Sequence, residues 1–258
     1  MSLQEDSLRL NKAISDTGFC SRRAADKVIE EGRVTINGKT GVLGDRVTYQ
    51  DDVRIDGRRI KFKNQDESIY IAFNKPRGIT CTTENNVKGN IIDYIRHPKR
   101  IFPIGRLDKP SEGLIFLTSD GNIVNKILRA GNQHEKEYIV TVNKPITAEF
   151  LKKMSNGIPI LDTITAKCSI KKESDFVFKI ILTQGLNRQI RRMCEYLNYE
   201  VTKLKRIRIM NISLNNIPLG KWRNLSKEEL AEMMRMVENS SKTEEASIQQ
   251  AKPIKKNF

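Results

Sequence analysis

Residues 103–121 read PIGRLDKPSEGLIFLTSDG. A glycine, an Arg-Leu-Asp triplet and a Lys-Pro break stand directly ahead of the apolar run Leu114–Leu117, and Asp120-Gly121 follows as a turn signal. An apolar run bounded by turn residues predicts a buried strand, so the backbone of Asp108 should be anchored while its side chain faces outward. Asp108 then either closes a turn or is a reactive carboxylate, kept ionised by the basic side chains around it. Asp120 reads as a turn aspartate and Glu112 as exposed.

Working outward, strands are expected at IYIAFNK (69–75), KEYIVTV (136–142), TAKCSIKK (165–172), DFVFKIIL (175–182) and VTKLKRIRIMNISL (201–214). Helices are expected near NIIDYI, NIVNKILRAG, ITAEFLKKMSNG, NRQIRRMCEYLN and Ser226–Val237. Many strands without regular βαβ alternation predict an α+β fold with a mixed, mostly antiparallel sheet. Before this region, Leu10, Ala13 and Ile14 mark one short helix, Ser21 caps a second that carries Ala24, Ala25, Val28 and Ile29, and Gly32 ends it. Asn37-Gly38 and Asp56-Gly57 then predict two tight hairpins. The expected organisation is a small module at 7–63, a polar linker at 64–68, a larger domain at 69–238 and a disordered tail at 239–258. No internal repeat is evident.

The 258 residues carry a formal net charge of +15. Residues 68–223 hold 27 of the 46 Lys and Arg, while both ends lie near balance. A basic middle of this kind points to a polyanionic partner, nucleic acid in the first place. No apolar stretch reaches the roughly 20 residues that span a bilayer, and MSLQEDSLRLNK has neither the basic start nor the apolar centre of a signal peptide, so a cytoplasmic protein is expected. Cys20, Cys81, Cys168 and Cys194 form no CxxC, and His97 and His134 have no partner at ligand spacing, so neither a metal site nor a disulfide framework is expected. The P-loop and dinucleotide fingerprints are absent, which leaves carboxylate chemistry. A single well-placed carboxylate disfavours a hydrolytic glycosidase, which commonly needs two.

RLNKAI, SRRAADKVIEEGRVTING and GDRV resemble the S4-type RNA-binding domain, with Asn11 where an Asp is common. That resemblance casts Arg9, Lys12, Ser21, Arg22, Arg23 and Lys27 as RNA contacts. GRLDKPSEGLIFLTSDG, KEYIVTV and LTQGLNRQIRRMCEYLNYEV, in that order, resemble the three motifs of the RsuA/RluB/E/F group of pseudouridine synthases. The group's reaction, implied here by resemblance alone, detaches a uracil at N1, turns it and rejoins it through C5 without a cofactor. Residue by residue, the resemblance makes Asp108 the essential aspartate, Tyr138 the ring that stacks on uracil and assists proton removal at C5, and Arg191 the basic partner of the aspartate. Arg106 would hold the extruded base and Ile190 would pack against it, with Arg188, Gln189 and Arg192 also on the substrate side. Lys203, Lys205, Arg206 and Arg208 read as a basic ladder along a strand, a track for RNA backbone. The implied partner is large-subunit ribosomal RNA, with a transfer-RNA anticodon stem-loop as a second substrate, and nothing in the sequence demands more than a monomer. A noncatalytic RNA-binding protein and an RNA N-glycosidase stay open on the residues themselves.

Overall fold

The structure is a computed structural model that describes residues 7–62, 68–84 and 86–240, and the backbone of Lys252–Pro253. The expected linker lies, apart from Ser68, outside the described residues, as does the expected tail beyond Ser240 except for Lys252–Pro253. The chain divides into two compact units, Met1–Ser68 with Pro98–Arg100 and Ser119–Gly121, and Ile69–His97 with Ile101–Thr118 and Asn122–Phe258.

In the first unit, β1 (Leu8–Arg9) leads into α1 (Leu10–Asp16) and α2 (Arg22–Glu30), followed by β2 (Val34–Ile36), β3 (Lys39–Thr40), β4 (Arg46–Val47), β5 (Val53–Ile55) and β6 (Arg58–Arg59). The Ser21 hydroxyl accepts from the Ala24 amide at 3.1 Å, which is why α2 begins there. Strands β2, β3, β5 and β6 form one antiparallel sheet. Its hairpins turn at Asn37-Gly38 and Asp56-Gly57, all four residues with positive φ, as type I′ turns require. Leu10, Ala13 and Ile14 meet Ala25, Val28 and Ile29 and the strand residues Val34, Val53 and Ile55 in a small core.

The second unit contains β7 (Tyr70–Lys75), α3 (Ile91–Ile95), β8 (Phe102–Ile104), β9 (Glu112–Thr118), α4 (Asn122–Leu128), β10 (Lys136–Val142) and α5 (Ala148–Asn156). There follow β11 (Pro159–Ile160), β12 (Thr163–Ile164), β13 (Ser169–Ser174), β14 (Val177–Leu182), α6 (Gln189–Tyr196), β15 (Val201–Ile209), β16 (Ile212–Ser213), β17 (Trp222–Asn224), α7 (Lys227–Val237) and β18 (Lys252–Pro253). The main sheet runs β13-β14-β10-β15-β9-β7-β17, with β16 on β15 and β8 on β9. Every pairing in it is antiparallel except β9 with β15. The fold is α+β, as the unalternating order of elements predicts. The strand expected at TAKCSIKK starts only at Ser169, and β12 pairs with both β11 and β18 in a separate small sheet.

Period-2 alternation explains the two layers. Ile71, Phe73, Ile115 and Leu117 join Val140, Phe178, Ile180 and side chains of α3, α5 and α6 in one core. Tyr70, Ala72, Leu114 and Phe116 join Ile123 and Ile127 of α4 and Met233 and Val237 of α7 in the other. Strand β9 is covered on both faces, which is the reason its sequence is an unbroken apolar run. Helix α7 starts at a capping box: the Ser226 hydroxyl accepts from the Glu229 amide at 3.1 Å, and the Glu229 carboxylate accepts from the Ser226 amide at 2.9 Å.

Candidate active site

The parallel contact between β9 and β15 is confined to Lys205↔Glu112 and Arg206↔Gly113. At this junction a cavity of about 640 Å³ opens, lined from one side by Ile104–Lys109 and Phe116 and from the other by Lys136, Tyr138, Leu204 and Arg206. The segment Gly185–Arg191 completes its wall.

Asp108 sits in the loop between β8 and β9, and almost every neighbour along that loop is tied down. The Leu107 amide donates to Cys81 Sγ at 3.4 Å, and the thiol donates back to the Leu107 carbonyl at 3.2 Å. The Gly78 amide donates to the Lys109 carbonyl and the Ser111 amide to the Asp108 carbonyl, at 2.8 and 2.9 Å. Lys75 Nζ, fully buried, donates to the carbonyls of Ser111 and Pro76, both at 2.9 Å. Gly105, with φ +74, supplies the left-handed backbone that starts the loop, and Arg106 beside it is exposed. Asp108 itself is half-buried in the cavity wall.

Arg191 comes from α6 and is buried. Its Nη1 donates to the Val201 carbonyl at 3.0 Å and its Nη2 to Ser111 Oγ at 3.2 Å, while Nε has no partner. No ion pair joins it to Asp108 among the described residues; Asp108 acts on it through space and raises its proton affinity, against a larger lowering by burial. Tyr138 lies on the cavity face of β10. Arg188, in a left-handed conformation at the N-terminus of α6, is exposed at the rim, and Gln189 and Ile190 are buried behind it. Thus Asp108, Tyr138, Arg191, Arg106, Arg188, Gln189 and Ile190 share one cavity. Arg192 does not line it: its Nε donates to the Asn187 carbonyl at 3.1 Å.

The expected basic ladder on β15 does not form as one surface, because a strand sends alternate side chains to opposite faces. Lys203 is exposed and Lys205 half-buried, but Arg206 is buried in the cavity wall with Nε on the Leu114 carbonyl at 2.6 Å. Arg208 is engaged by Glu137 at 2.7 Å and Glu135 at 2.8 Å. In the first unit, Arg9, Arg22, Arg23 and Lys27 are exposed, Ser21 is occupied in capping α2, and Lys12 is paired with Asp16 at 2.6 Å.

The sequence alone does not single out Lys75, Cys81, Ser111 or Lys136, although all bear on the cavity or its loop. Lys136 carries a legible signal, since in KEYIVTV it shares the parity of Tyr138. Burial pushes the Cys81 thiol up and holds Lys75 below the ordinary lysine range.

Residues 69–196 match the RNA pseudouridylate synthase family and residues 8–41 the S4 domain. The chain is 60% identical over 239 residues to the dual-specificity RNA pseudouridine synthase RluF of Salmonella typhi, covering 93% of this chain and 83% of that one. It is 32% identical over 240 residues to ribosomal large subunit pseudouridine synthase B of Bacillus subtilis (strain 168), covering 90% and 97%. A solved pseudouridylate synthase superposes with a TM-score of 0.65 at 26% identity, over 88% of this chain and all of that one. A cleft built on the GRLD loop, backed by likeness along nearly the whole chain, leads to one assignment: the chain belongs to the RNA pseudouridine synthase family, and it is an isomerase.

Proposed function

We propose that this enzyme converts a uridine in a stem-loop of large-subunit ribosomal RNA to pseudouridine, and that it accepts a transfer-RNA anticodon stem-loop as a second substrate. The dual specificity named for the Salmonella typhi relative and the ribosomal large subunit named for the Bacillus subtilis relative support a ribosomal substrate and a second RNA. Asp108 starts cleavage of the glycosidic bond, Tyr138 stacks on the flipped uracil and assists loss of the C5 proton, and Ile190 packs against the base. Arg191, carried on α6 and fastened to the Asp108 loop through Ser111, sets a positive charge in the same cavity as the carboxylate. Arg106, exposed next to Asp108, fills the space the base leaves in the RNA stack and offsets part of the few kcal/mol that flipping costs.

One observation carries the reading: the half-buried Asp108 shares a single cavity with Tyr138 and the buried Arg191. Asp108, Tyr138 and Arg191 line that cavity within one chain, which supports a monomer as the working unit. In the same reading the S4 unit adds contacts through Arg9, Arg22, Arg23 and Lys27, and Lys203 and Lys205 add more from β15. In the same reading the enzyme acts in the cytoplasm, beside its RNA substrates. Among the described residues no helix is long and apolar enough to cross a membrane.

The test is release of tritium from large-subunit ribosomal RNA carrying uridine labelled at C5, with Asp108→Asn alongside. Release by the wild type alone is expected. Equal release by Asp108→Asn would overturn the role of the aspartate, and no release by either protein from ribosomal or transfer RNA would overturn the substrate assignment.

A further inference from the structure

The wall that presents Tyr138 also presents two buried cations. Strand β10 alternates buried and half-buried residues, so Lys136 falls on the same face as Tyr138. In the β10–β15 register Arg206 stands opposite Tyr138. Lys136 is 7% exposed and Arg206 5%, and both line the cavity. Neither enters any ion pair among the described residues, whereas Arg208, which a bulge sets opposite Glu137 on the other face of the sheet, is paired twice. Lys136 Nζ donates to the His134 carbonyl at 2.8 Å, and Arg206 Nη2 is buried with no partner at all.

Two adjacent buried cations, with no carboxylate in ion-pair contact among the described residues, are destabilising, at several kcal/mol for each ion. Burial first, and the Arg206 charge second, bring Lys136 down to about 8, so it remains mostly protonated at neutral pH. A fold that keeps such a pair in a cavity has a use for an anion there. Phe116, Leu182 and Ile209 line the same cavity. Together with the Tyr138 ring they suit a flat, delocalised anion better than a strongly hydrated phosphate.

The geometry points to Lys136 and Arg206 as catalytic residues that hold the negative charge developing on uracil as it leaves the ribose. This rests on the isomerase reading above. When the C1′–N1 bond breaks, its electron pair stays with the uracil and spreads over the ring and its two carbonyl oxygens. The deficiency at C1′ is met by Asp108, through an ester bond to C1′ or by removal of the 2′ proton. The ring turns, and C5 bonds to C1′ as the Asp108 ester breaks or as C2′ takes back its proton from Asp108, which restores the carboxylate either way. The C5 proton then leaves to solvent and N1 takes one up. Lys136 and Arg206 act by electrostatics from buried positions in the cavity wall.

The deciding experiment compares wild type with Lys136→Met in single-turnover reactions on one RNA carrying either uridine or 5-fluorouridine at the target. Fluorine withdraws electrons and stabilises the ring anion unaided, so it should substitute for the missing cation. Lys136→Met is expected to slow uridine consumption by roughly 10²–10³-fold with RNA affinity unchanged, and to slow 5-fluorouridine consumption at least tenfold less. Equal slowing on both substrates, no slowing, or a loss confined to RNA affinity would each overturn the inference, the last by pointing to a phosphate instead. Lys136→Gln is read by the same criteria should Lys136→Met not fold. Wild-type turnover separates this failure from that of the parent reading: an inactive wild type removes both, an active wild type with unimpaired Lys136→Met removes only this one.

Discussion

Gly113 is packed directly on the backbone of Arg206: a Cβ added there would overlap the Arg206 carbonyl oxygen and stand 2.7 Å from its nitrogen. The φ of Gly113, +112°, is one that side chains rarely adopt. This contact is half of the short parallel seam between β9 and β15, the place where the cavity opens. Gly113→Ala should therefore cost roughly 2–4 kcal/mol through strain and displaced backbone, seen as a lower midpoint in urea. The folded remainder should turn over more slowly, because Arg206 and the Asp108 loop move together.

Much of this architecture is legible because the relevant signals are local. The unbroken run Leu114–Leu117 announces a strand covered on both faces, and the alternation in KEYIVTV marks its residues 136–142 as a strand. The cations of the site are harder to place. A lysine at a strand end, such as Lys75 or Lys136, reads as solvent-exposed, and its burial depends on which strands lie beside it, a long-range fact. The four basic residues of β15 look like one ladder in sequence; only the pairing with β10 and β9 shows Arg206 turned into the cavity and Arg208 neutralised by two glutamates. Two- and three-residue strands such as β11 and β17 are too short to show alternation.

Among the described residues, the Ser111 hydroxyl is the one side-chain link between α6 and the Asp108 loop made by Arg191. Ser111→Ala should leave Arg191 tethered only to the Val201 carbonyl and lower kcat by roughly tenfold with little change in RNA affinity. Arg191→Lys should cost more, roughly 10²-fold, since an ammonium cannot span both acceptors as the planar guanidinium does. Rapid-quench kinetics beside equilibrium binding would separate the two quantities; an equal loss in affinity would mean that Arg191 grips RNA instead.

Arg188 and Arg192 lie three residues or fewer from Gln189, yet their surroundings differ. Arg188 is exposed at the rim, while Arg192 is already held by Asn187. Arg188→Ala should weaken RNA binding more than Arg192→Ala. Removing both should lower the slope of log Kd against log salt by about 1–2, one counterion contribution for each phosphate left without its arginine. Filter binding across a salt series measures this, and an unchanged slope would place both side chains off the RNA.

Lys136 also makes a prediction about stability that is independent of turnover. Its surroundings contribute Arg206 from β15, His134 just ahead of β10, and Asp108 and Arg191 from the far walls of the cavity. Lys136 loses its proton in the folded protein at about 8 but at its ordinary 10.5 when unfolded. Between those values the unfolded chain binds more protons, so unfolding free energy should rise with pH, by roughly 2–4 kcal/mol over the interval from this group alone. Below about 8 both states are protonated, and the folded protein bears the whole burial cost. His134, kept below its ordinary value by burial and then by Lys136, is already neutral in this window and adds nothing. Lys136→Met should remove the rise and make the protein more stable at pH 7, since an apolar side chain of similar volume replaces a buried charge. Urea titrations at pH 7 and pH 9.5 on both proteins would show it. The thiols of Cys20, Cys81, Cys168 and Cys194, all raised by burial, act in the opposite sense in both proteins, so the quantity read is the difference between wild type and Lys136→Met. A difference unchanged between pH 7 and pH 9.5 would mean that Lys136 keeps its proton there.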